Sequence, residues 1–325
     1  MSRQLSYKRA LNEALLQELK GDPTTILYGE DVGRLGGVFR VTKGLAEAVG
    51  ADRVFDTPIS EASLVGMAVG AAITGLRPIC ELQFSDFSAI AMDEIYNKLA
   101  KWRYMHGGNF RMPVVIRLPM GASGGAGAEH SQSLESLFMN CPGLHIAVPS
   151  TPYDAKGLLK SAIRSDNPVL FFEHRGLYET VGEVPEEDYL VPLGVADVKR
   201  KGTDVTVIAI SRMVPKALKA AELAAAEGIS VEVVDPRTLC PLDRETILQS
   251  VRKTGRAVVA YEGYRTAGAG AELAAMIAEE AIYDLEGSVL RVAGADMPLP
   301  ANMVTEQWLI PQAEDVLKAV RTSMG

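Results

Sequence analysis

Short runs of apolar, often β-branched residues alternate with longer stretches of helical periodicity along the first half of the chain. The runs are almost continuously apolar, which is typical of strands buried on both faces of a parallel sheet. They predict strands at 25–28, 77–82, 114–118, 145–148 and 169–172. The stretches between them predict helices at 60–74, 86–104 and 152–165. This order is the β-α-β rhythm of a sheet covered by helices.

The same rhythm restarts in the second half, after a charged segment with Gly and Pro at 173–193 that has no periodic pattern and is interpreted as a connection. The later strands are predicted at 205–209, 230–234, 257–261 and 289–292. The later helices are predicted at 214–226, 244–251 and 270–282, with a last helix from about Pro311 to Arg321. We therefore expect an α/β protein of two doubly wound, three-layer domains, at 1–180 and 195–325, joined by a linker at 181–194.

The composition narrows the function classes. Lys and Arg total 33 against 41 Asp and Glu, and the net charge of −8 disfavours a nucleic-acid partner. The longest uncharged apolar stretch, 62–76, is shorter than the roughly 20 residues that a membrane-spanning helix needs. The three cysteines are few and widely spaced, which favours reduced thiols. We expect no membrane partner and a cytoplasmic location, or a mitochondrial matrix location in a eukaryote, although no transit peptide is recognisable.

Glu61 is the first candidate for chemistry, in the string DTPISE at 56–61. The string lies at a strand-to-helix junction, and Glu61 falls at the start of the helix predicted at 60–74. One interpretation is purely structural, with Ser60 as the N-cap and Glu61 in the first turn, where the helix dipole favours an anion. The other is a carboxylate at the carboxyl end of a parallel strand, where open α/β sheets bind ligands. If Glu61 is enclosed there, desolvation would suit it to proton transfer.

Two further segments are candidates on similar grounds. The string QFSDF, from Gln83 to Phe87, ends an apolar strand, and its aromatic residues suit either the core or stacking against a flat heterocycle. The glycine-rich loop 121–127 precedes His130. This loop could bind an anion, act as a mobile lid or simply connect two elements. Its position makes His130 the best proton-handling candidate among the four histidines.

Together these segments resemble the β subunit of the thiamine-diphosphate-dependent decarboxylating component of 2-oxo acid dehydrogenase complexes, in the transketolase superfamily. That family includes pyruvate, branched-chain 2-oxo acid and acetoin dehydrogenases. The matching strings follow the family order nearly from end to end. They are GEDVG at 29–33, GGVFRVTKGL at 36–45, DTPISE at 56–61, GLRPICE at 75–81, HSQS at 130–133, PSTPYDAKGLL at 149–159, DPRTLCPLD at 235–243 and IPQAEDV at 310–316.

The resemblance implies a role for each candidate residue. Glu61 would hydrogen-bond N1′ of the aminopyrimidine ring of thiamine diphosphate, and Phe87 would stack against that ring. Gln83 is included among the candidate cofactor contacts. His130 would help to orient the intermediate or donate a proton during transfer to the lipoyl group. The family also implies a potassium site through backbone oxygens of Ala162, Ser165 and Asn167.

The resemblance further implies a pyrimidine-binding domain followed by a smaller C-terminal transketolase-type domain. The Gly-Asp-Gly motif that holds Mg²⁺ and diphosphate in the superfamily is missing from this chain. We therefore expect an α subunit to supply it, in an α₂β₂ heterotetramer docked on a lipoyl-bearing acyltransferase core.

The predicted activity is oxidative decarboxylation or cleavage of a small 2-oxo acid or acetoin, with acyl transfer to a lipoyl disulfide. Two alternatives are a split transketolase-like ketol transferase and a non-catalytic assembly subunit. No residue of the chain decides the substrate, although the strings at 210–218 and 262–273 are somewhat closer to acetoin- and pyruvate-type members.

Overall fold

The computed structural model describes residues 2–325 and divides the chain into two units. The first unit contains the chain up to Met120 together with Leu137–Leu193. The second contains Gly121–Ser136 and Gly194–Gly325. The segment that carries His130 thus belongs to the second unit, although the strands before and after it in the sequence, which end at Met120 and begin at His145, belong to the first.

The first unit is built on a parallel sheet whose strands follow the order β6-β7-β5-β4-β2-β3. The strands up to residue 185 are β1 Ser2–Ser6, β2 Thr25–Gly29, β3 Val54–Asp56, β4 Arg77–Glu81, β5 Val115–Met120, β6 His145–Ala147, β7 Val169–His174 and β8 Val181–Pro185. The helices up to residue 164 are α1 Tyr7–Gly21, α2 Leu45–Val49, α3 Glu61–Ile73, α4 Trp102–Met105, α5 Glu135–Met139 and α6 Pro152–Arg164.

The core of the first unit includes α1, α6 and the strands beneath them. Leu11 and Leu15 of α1 pack with Leu158 and Leu159 of α6, and all four side chains are fully buried. Burial of each leucine contributes about 1.5–3 kcal/mol. Helix α1 was absent from the sequence predictions, although its buried residues Tyr7, Leu11, Leu15 and Leu19 recur every four positions.

The second unit contains a five-stranded sheet in the order β14-β13-β10-β11-β9, with β9 antiparallel to its neighbour. The strands in this part of the chain are β9 Asp197–Arg200, β10 Val205–Ala209, β11 Val231–Asp235, β12 Thr238–Cys240, β13 Ala257–Tyr264 and β14 Leu290–Gly294, of which β12 is not a member of the five-stranded sheet. Its helices are α7 Met213–Ala225, α8 Arg244–Thr254, α9 Ala269–Glu280, α10 Met303–Leu309 and α11 Ala313–Met324. Valines of the sheet pack against alanines of α7 and valines of α11.

Three sequence predictions of local structure are wrong. The stretch 86–104 is a 3₁₀ turn at Ser85–Ala89, a π-helix at Glu94–Leu99 and then α4. Its buried residues Ala91, Ile95 and Leu99 are spaced by four, which suits the wider turn, and the Ala100 N–H donates to the Ile95 carbonyl five residues back.

The other two errors lie at 173–193 and at Pro311. Strand β8 forms within the segment interpreted as a featureless connection, because its backbone pairs with β1 at the chain's N-terminal end. Helix α11 begins at Ala313 rather than at the proline, because Gln312 and Asp315 form a capping box.

Two broader expectations can be compared with the structure. Within residues 2–325, no helix combines the length and apolar character needed to cross a bilayer. The three cysteines are free thiols, as predicted.

Candidate functional site

The switch in strand order of the first sheet lies at β2. Strand β3 pairs on one side of β2, and β4 pairs on the other side. Open α/β sheets bind ligands at the carboxyl ends of their strands at such a point. At these ends the two backbones come very close, since a Cβ atom at Gly29 would lie 2.5 Å from the Glu81 carbonyl oxygen. A glycine is therefore required at this position.

Glu61 is buried at this side of the unit. It is the first residue of α3, and only 5% of its surface is exposed. The helix is anchored to β2 by the Tyr28 hydroxyl, which donates to the Leu64 carbonyl at 2.9 Å. The Ser60 side chain does not cap the helix; instead its hydroxyl donates to Ser63 Oγ at 2.9 Å. Ser60 thus occupies the N-cap position, as predicted, but makes no side-chain capping hydrogen bond, and the enclosure of Glu61 favours the interpretation as a functional carboxylate.

Glu30 is a functional candidate that the sequence alone does not single out. It follows the last residue of β2 and is 4% exposed, and its Oε1 has no hydrogen-bond partner within residues 2–325. Burial raises the pKa of Glu30, and the negative charges of Glu61 and Asp31 raise it further. A buried, unpaired acid beside another acid lowers stability and is typical of a functional site. The available signal was its place in GEDVG, directly after an apolar strand.

We expect Glu30→Gln to stabilise the chain increasingly as the pH rises. Because the pKa of Glu30 is raised in the folded state, the folded protein loses this proton at a higher pH than the unfolded chain does. The wild type therefore loses stability as the pH rises through the folded-state pKa. The amide of the variant stays neutral throughout this range, so the variant does not lose stability in this way. Urea denaturation at pH 4.5 and pH 8 should show the gain only at pH 8. Glu279→Gln, at an exposed position of α9, should change little, and an equal effect of Glu30→Gln at both pH values would contradict this interpretation.

Gln83 and Phe87 follow β4 and are half-buried. Phe87 lies in the 3₁₀ turn, and its ring meets the Phe84 ring edge to face at a centroid distance of 5.6 Å. Phe84 in turn contacts Phe39, at 5.5 Å between centroids, and the Arg175 guanidinium. The turn is thus supported by an aromatic cluster. The assignment of Gln83 and Phe87 as cofactor contacts remains a prediction.

A buried ion cluster lies behind the end of β4. Arg117 of β5 donates from Nε and Nη2 to the two carboxylate oxygens of Glu173 on β7, both at 2.7 Å, and from Nη1 to Glu81. The Tyr178 hydroxyl donates to Glu173 at 2.9 Å. Burial raises the pKa of Glu81, while Arg117 opposes this shift. Because all three charged side chains lie on neighbouring strands, the cluster fixes the strand ends that carry the candidate site.

His130 lies in the second unit and is half-buried. Its backbone N–H donates to the Gly127 carbonyl at 3.4 Å, and the Gly121 N–H donates to the Gln132 carbonyl at 3.1 Å, which closes the glycine-rich loop on itself. Glu135, a few residues further on, is buried. Burial, and secondarily the charge of Glu262, raises the pKa of Glu135 to about 7. The catalytic role of His130 remains a prediction.

The residues predicted to bind potassium lie at the opposite end of the first sheet. Arg77, at the start of β4, donates to the carbonyls of Ile163 at 3.2 Å and Ser165 at 3.1 Å. The carbonyl of Ala162 accepts from the Ser165 N–H, and that of Asn167 accepts from the Ser165 hydroxyl. Carbonyl oxygens that lie close together attract a cation. The guanidinium of Arg77 already contacts one of the three predicted ligands, the Ser165 carbonyl. Potassium at these residues remains a prediction.

A divalent metal has no evident protein site within residues 2–325, where no cluster of three or more His, Cys, Asp or Glu side chains could hold one. A buried carboxyl group fits the ring nitrogen of an aminopyrimidine, with which it can share a proton.

Two domain families match the chain. Residues 3–180 match the family described as the transketolase pyrimidine-binding domain. Residues 194–316 match the transketolase C-terminal domain.

Curated relatives match the chain over almost its full length. A pyruvate dehydrogenase E1 component subunit beta of Bacillus subtilis is 47% identical, and a 2-oxoisovalerate dehydrogenase subunit beta of the same organism is 45% identical, each alignment covering 98% of both chains. The beta subunit of the acetoin:2,6-dichlorophenolindophenol oxidoreductase of Cupriavidus necator is 46% identical, with 100% of this chain and 98% of the relative covered. Among solved structures, a split-gene transketolase, described as an inactive beta4 tetramer, superposes with a TM-score of 0.81 at 28% identity, and 98% of each chain is covered.

Proposed function

Since this chain belongs to the family of E1 β subunits of 2-oxo acid dehydrogenase complexes, with transketolase-type pyrimidine-binding and C-terminal domains, we propose that it binds thiamine diphosphate and decarboxylates a 2-oxo acid or cleaves acetoin. The resemblance seen in the sequence and the predicted fold class are thereby confirmed. The observation that carries the proposal is the buried Glu61 beside Glu30 at the switch point of the pyrimidine-domain sheet.

In this proposal Glu61 exchanges a proton with N1′ of the aminopyrimidine ring. Thiamine diphosphate, when bound, supplies a nucleophilic carbon that adds to the substrate carbonyl and accepts the electron pair released on decarboxylation. The chain's own contribution is to enclose the ring, to exclude water from it and to hold the proton at Glu61. Gln83 and Phe87 would contact the ring, and His130 would act in acyl transfer to the lipoyl disulfide.

We further propose that an α subunit binds the Mg²⁺ and diphosphate, in an α₂β₂ complex on a lipoyl-bearing acyltransferase core. The support is the missing Gly-Asp-Gly motif, together with the names of the relatives, which are those of subunits. The split transketolase that shares the fold is described as an inactive beta4 tetramer, which is what a β-type chain without its partner would be expected to form. Potassium at Ala162, Ser165 and Asn167 is retained as part of the proposal.

The purified chain should show no Mg²⁺-dependent binding of thiamine diphosphate in isothermal titration calorimetry until the α subunit is added. The reason is that this chain would hold only the pyrimidine end, and one aromatic contact with one proton-sharing bond gives weak affinity. The control is the α subunit titrated alone. Micromolar or tighter Mg²⁺-dependent binding by this chain alone would contradict the division of labour.

The split-transketolase alternative is disfavoured, because the E1 β relatives are 45–47% identical over the whole chain and the transketolase is 28% identical. The same figures leave the substrate open, since pyruvate-, branched-chain- and acetoin-type relatives lie within two percentage points of each other. Steady-state kinetics of the reconstituted complex with pyruvate, acetoin and 3-methyl-2-oxobutanoate would identify it. Ketol transfer between sugar phosphates, without acylation of a lipoyl domain, would favour the alternative.

A further inference from the structure

The segment Gly121–Ser136, here called the histidine segment because it carries His130, needs external contacts to fix its conformation. Gly121, Gly124, Gly125 and Gly127 all have positive φ angles, between 67° and 88°. Glycine-rich backbone in this region has little conformational preference of its own. The position of His130 therefore depends on what holds the segment against the rest of the second unit.

Glu262 and Arg212 both hydrogen-bond to the backbone of Ala122 in the histidine segment. The Ala122 N–H donates to Glu262 Oε1 at 2.7 Å, and Arg212 Nη1 donates to the Ala122 carbonyl at 2.5 Å. The same arginine nitrogen lies 3.7 Å from the other carboxylate oxygen of Glu262. An acid and a base thus satisfy both polar groups of one buried residue and also attract each other.

Two more contacts hold the segment on either side of His130. The Gly125 N–H donates to Glu306 Oε2 at 2.8 Å, and the Glu306 side chain is fully buried. A Cβ atom at Gly125 would lie 2.7 Å from the Met303 nitrogen, so this approach also requires glycine. Beyond the histidine, the Tyr264 hydroxyl lies 3.4 Å from the Gln132 side-chain oxygen. The segment is thus fastened both before and after His130.

The Glu262–Arg212 pair lies in poorly solvated surroundings. The Glu262 side chain is 5% exposed and that of Arg212 is 21% exposed. Burial raises the pKa of the neighbouring Glu135, and burial together with the charge of Arg212 lowers the pKa of Lys216 to about 8. Charged hydrogen bonds gain strength where water is excluded, and removal of one partner leaves the other charge buried.

We propose that Arg212 and Glu262 are positioning residues for acyl transfer, which act by fixing the histidine segment and hence His130. This inference rests on the proposed function, in which His130 acts in transfer to the lipoyl group. It assigns to the C-terminal domain a part in the reaction. Neither residue needs to touch the substrate, because each acts through the backbone of Ala122.

The test uses Arg212→Met in the complex reconstituted with the α subunit. Acylation of a lipoyl domain should fall about 10- to 100-fold, as expected for a misplaced group, while oxidation of the 2-oxo acid with an artificial electron acceptor stays within about threefold. Arg212→Lys, which keeps a donor, should recover part of the loss. Glu279→Gln, at an exposed position of α9, is the matched surface control. A loss of general stability would instead lower both activities together.

A double-mutant cycle with His130→Gln separates positioning from an unrelated defect. If Arg212 acts through His130, Arg212→Met/His130→Gln should acylate the lipoyl domain no more slowly than His130→Gln alone. Multiplicative losses would overturn the proposal. Amide hydrogen exchange of the peptide covering 121–136 should also accelerate in Arg212→Met and in Glu262→Gln but not in Glu279→Gln.

The outcomes distinguish this inference from the proposed function. Unchanged hydrogen exchange of the segment, or faster exchange with normal acylation, overturns the positioning role while decarboxylation by the complex still supports the proposed function. Normal acylation by His130→Gln overturns the role of His130 within the proposed function, and with it the positioning role. Absence of any 2-oxo acid or acetoin oxidation by the wild-type complex overturns the proposed function itself.

Discussion

Glu61→Gln in the reconstituted complex is expected to lower kcat for oxidation of the 2-oxo acid by about 10²- to 10⁴-fold, the usual contribution of a general acid–base group. The amide has the same shape as the carboxyl group but can neither accept nor release the proton. Because the amide fills the same space at the start of α3, the substitution should leave the fold intact. The measurement is 2-oxo acid-dependent reduction of an artificial acceptor, with circular dichroism as the check on folding.

The matched control for Glu61 is Glu47→Gln. Glu47 also lies in the first turn of a helix, α2, but it is exposed. If Glu61 serves only the helix dipole, both substitutions should cost about 0.3–1 kcal/mol of stability and leave the activity unchanged. Activity of Glu61→Gln within threefold of the wild type would therefore remove the proposed proton transfer.

Arg117→Met is expected to lower the free energy of unfolding by about 3–5 kcal/mol, because it leaves the carboxylates of Glu81 and Glu173 buried without their cation. Part of the loss should be relieved between pH 8 and pH 5. The reason is that burial already raises the pKa of Glu81, and without Arg117 nothing opposes its protonation as the pH falls. Urea denaturation at the two pH values measures both effects.

The control for Arg117 is Arg111→Met, which removes an arginine whose side chain is 73% exposed and whose nearest acid, Asp166, lies 3.4 Å away. An exposed pair contributes about 0–1 kcal/mol, so this variant should remain near the wild type. Adding Glu81→Gln to Arg117→Met should restore part of the lost stability, since it removes one of the two buried carboxylates that Arg117→Met leaves without a cation. A loss below about 1 kcal/mol for Arg117→Met would show that the cluster is not energetically coupled.

Apolar periodicity predicted the buried strands well and the polar clusters poorly. Strands such as β2, β4 and β10 lie within one residue of the predicted bounds, because a continuous apolar run identifies a doubly covered strand. Strand β8 was missed because its contribution is backbone pairing with β1, for which side-chain pattern carries little signal. The π-helix at Glu94–Leu99 was predicted as ordinary helix because its apolar residues still recur regularly.

Some residues of the candidate site could be predicted from the sequence, and others could not. Glu61 and His130 could be selected from the sequence, because each follows a recognisable local feature and lies in a string shared with a known family. Glu30 could not be ranked above other acids, since its lack of a partner is a property of the folded surroundings. Likewise, Glu262 and Arg212 contact Ala122 from 140 and 90 positions further along the chain.

The sequence alone thus determined the α/β class, the order of most core elements and the family, since these depend on local periodicity and on residue strings. Only the tertiary structure decided which charges are buried, which acids are neighbours and which unit holds the histidine segment. The physical reason is that the free energy of a charged group depends on solvent and on partners brought from distant positions. A local pattern of apolar and polar residues contains neither.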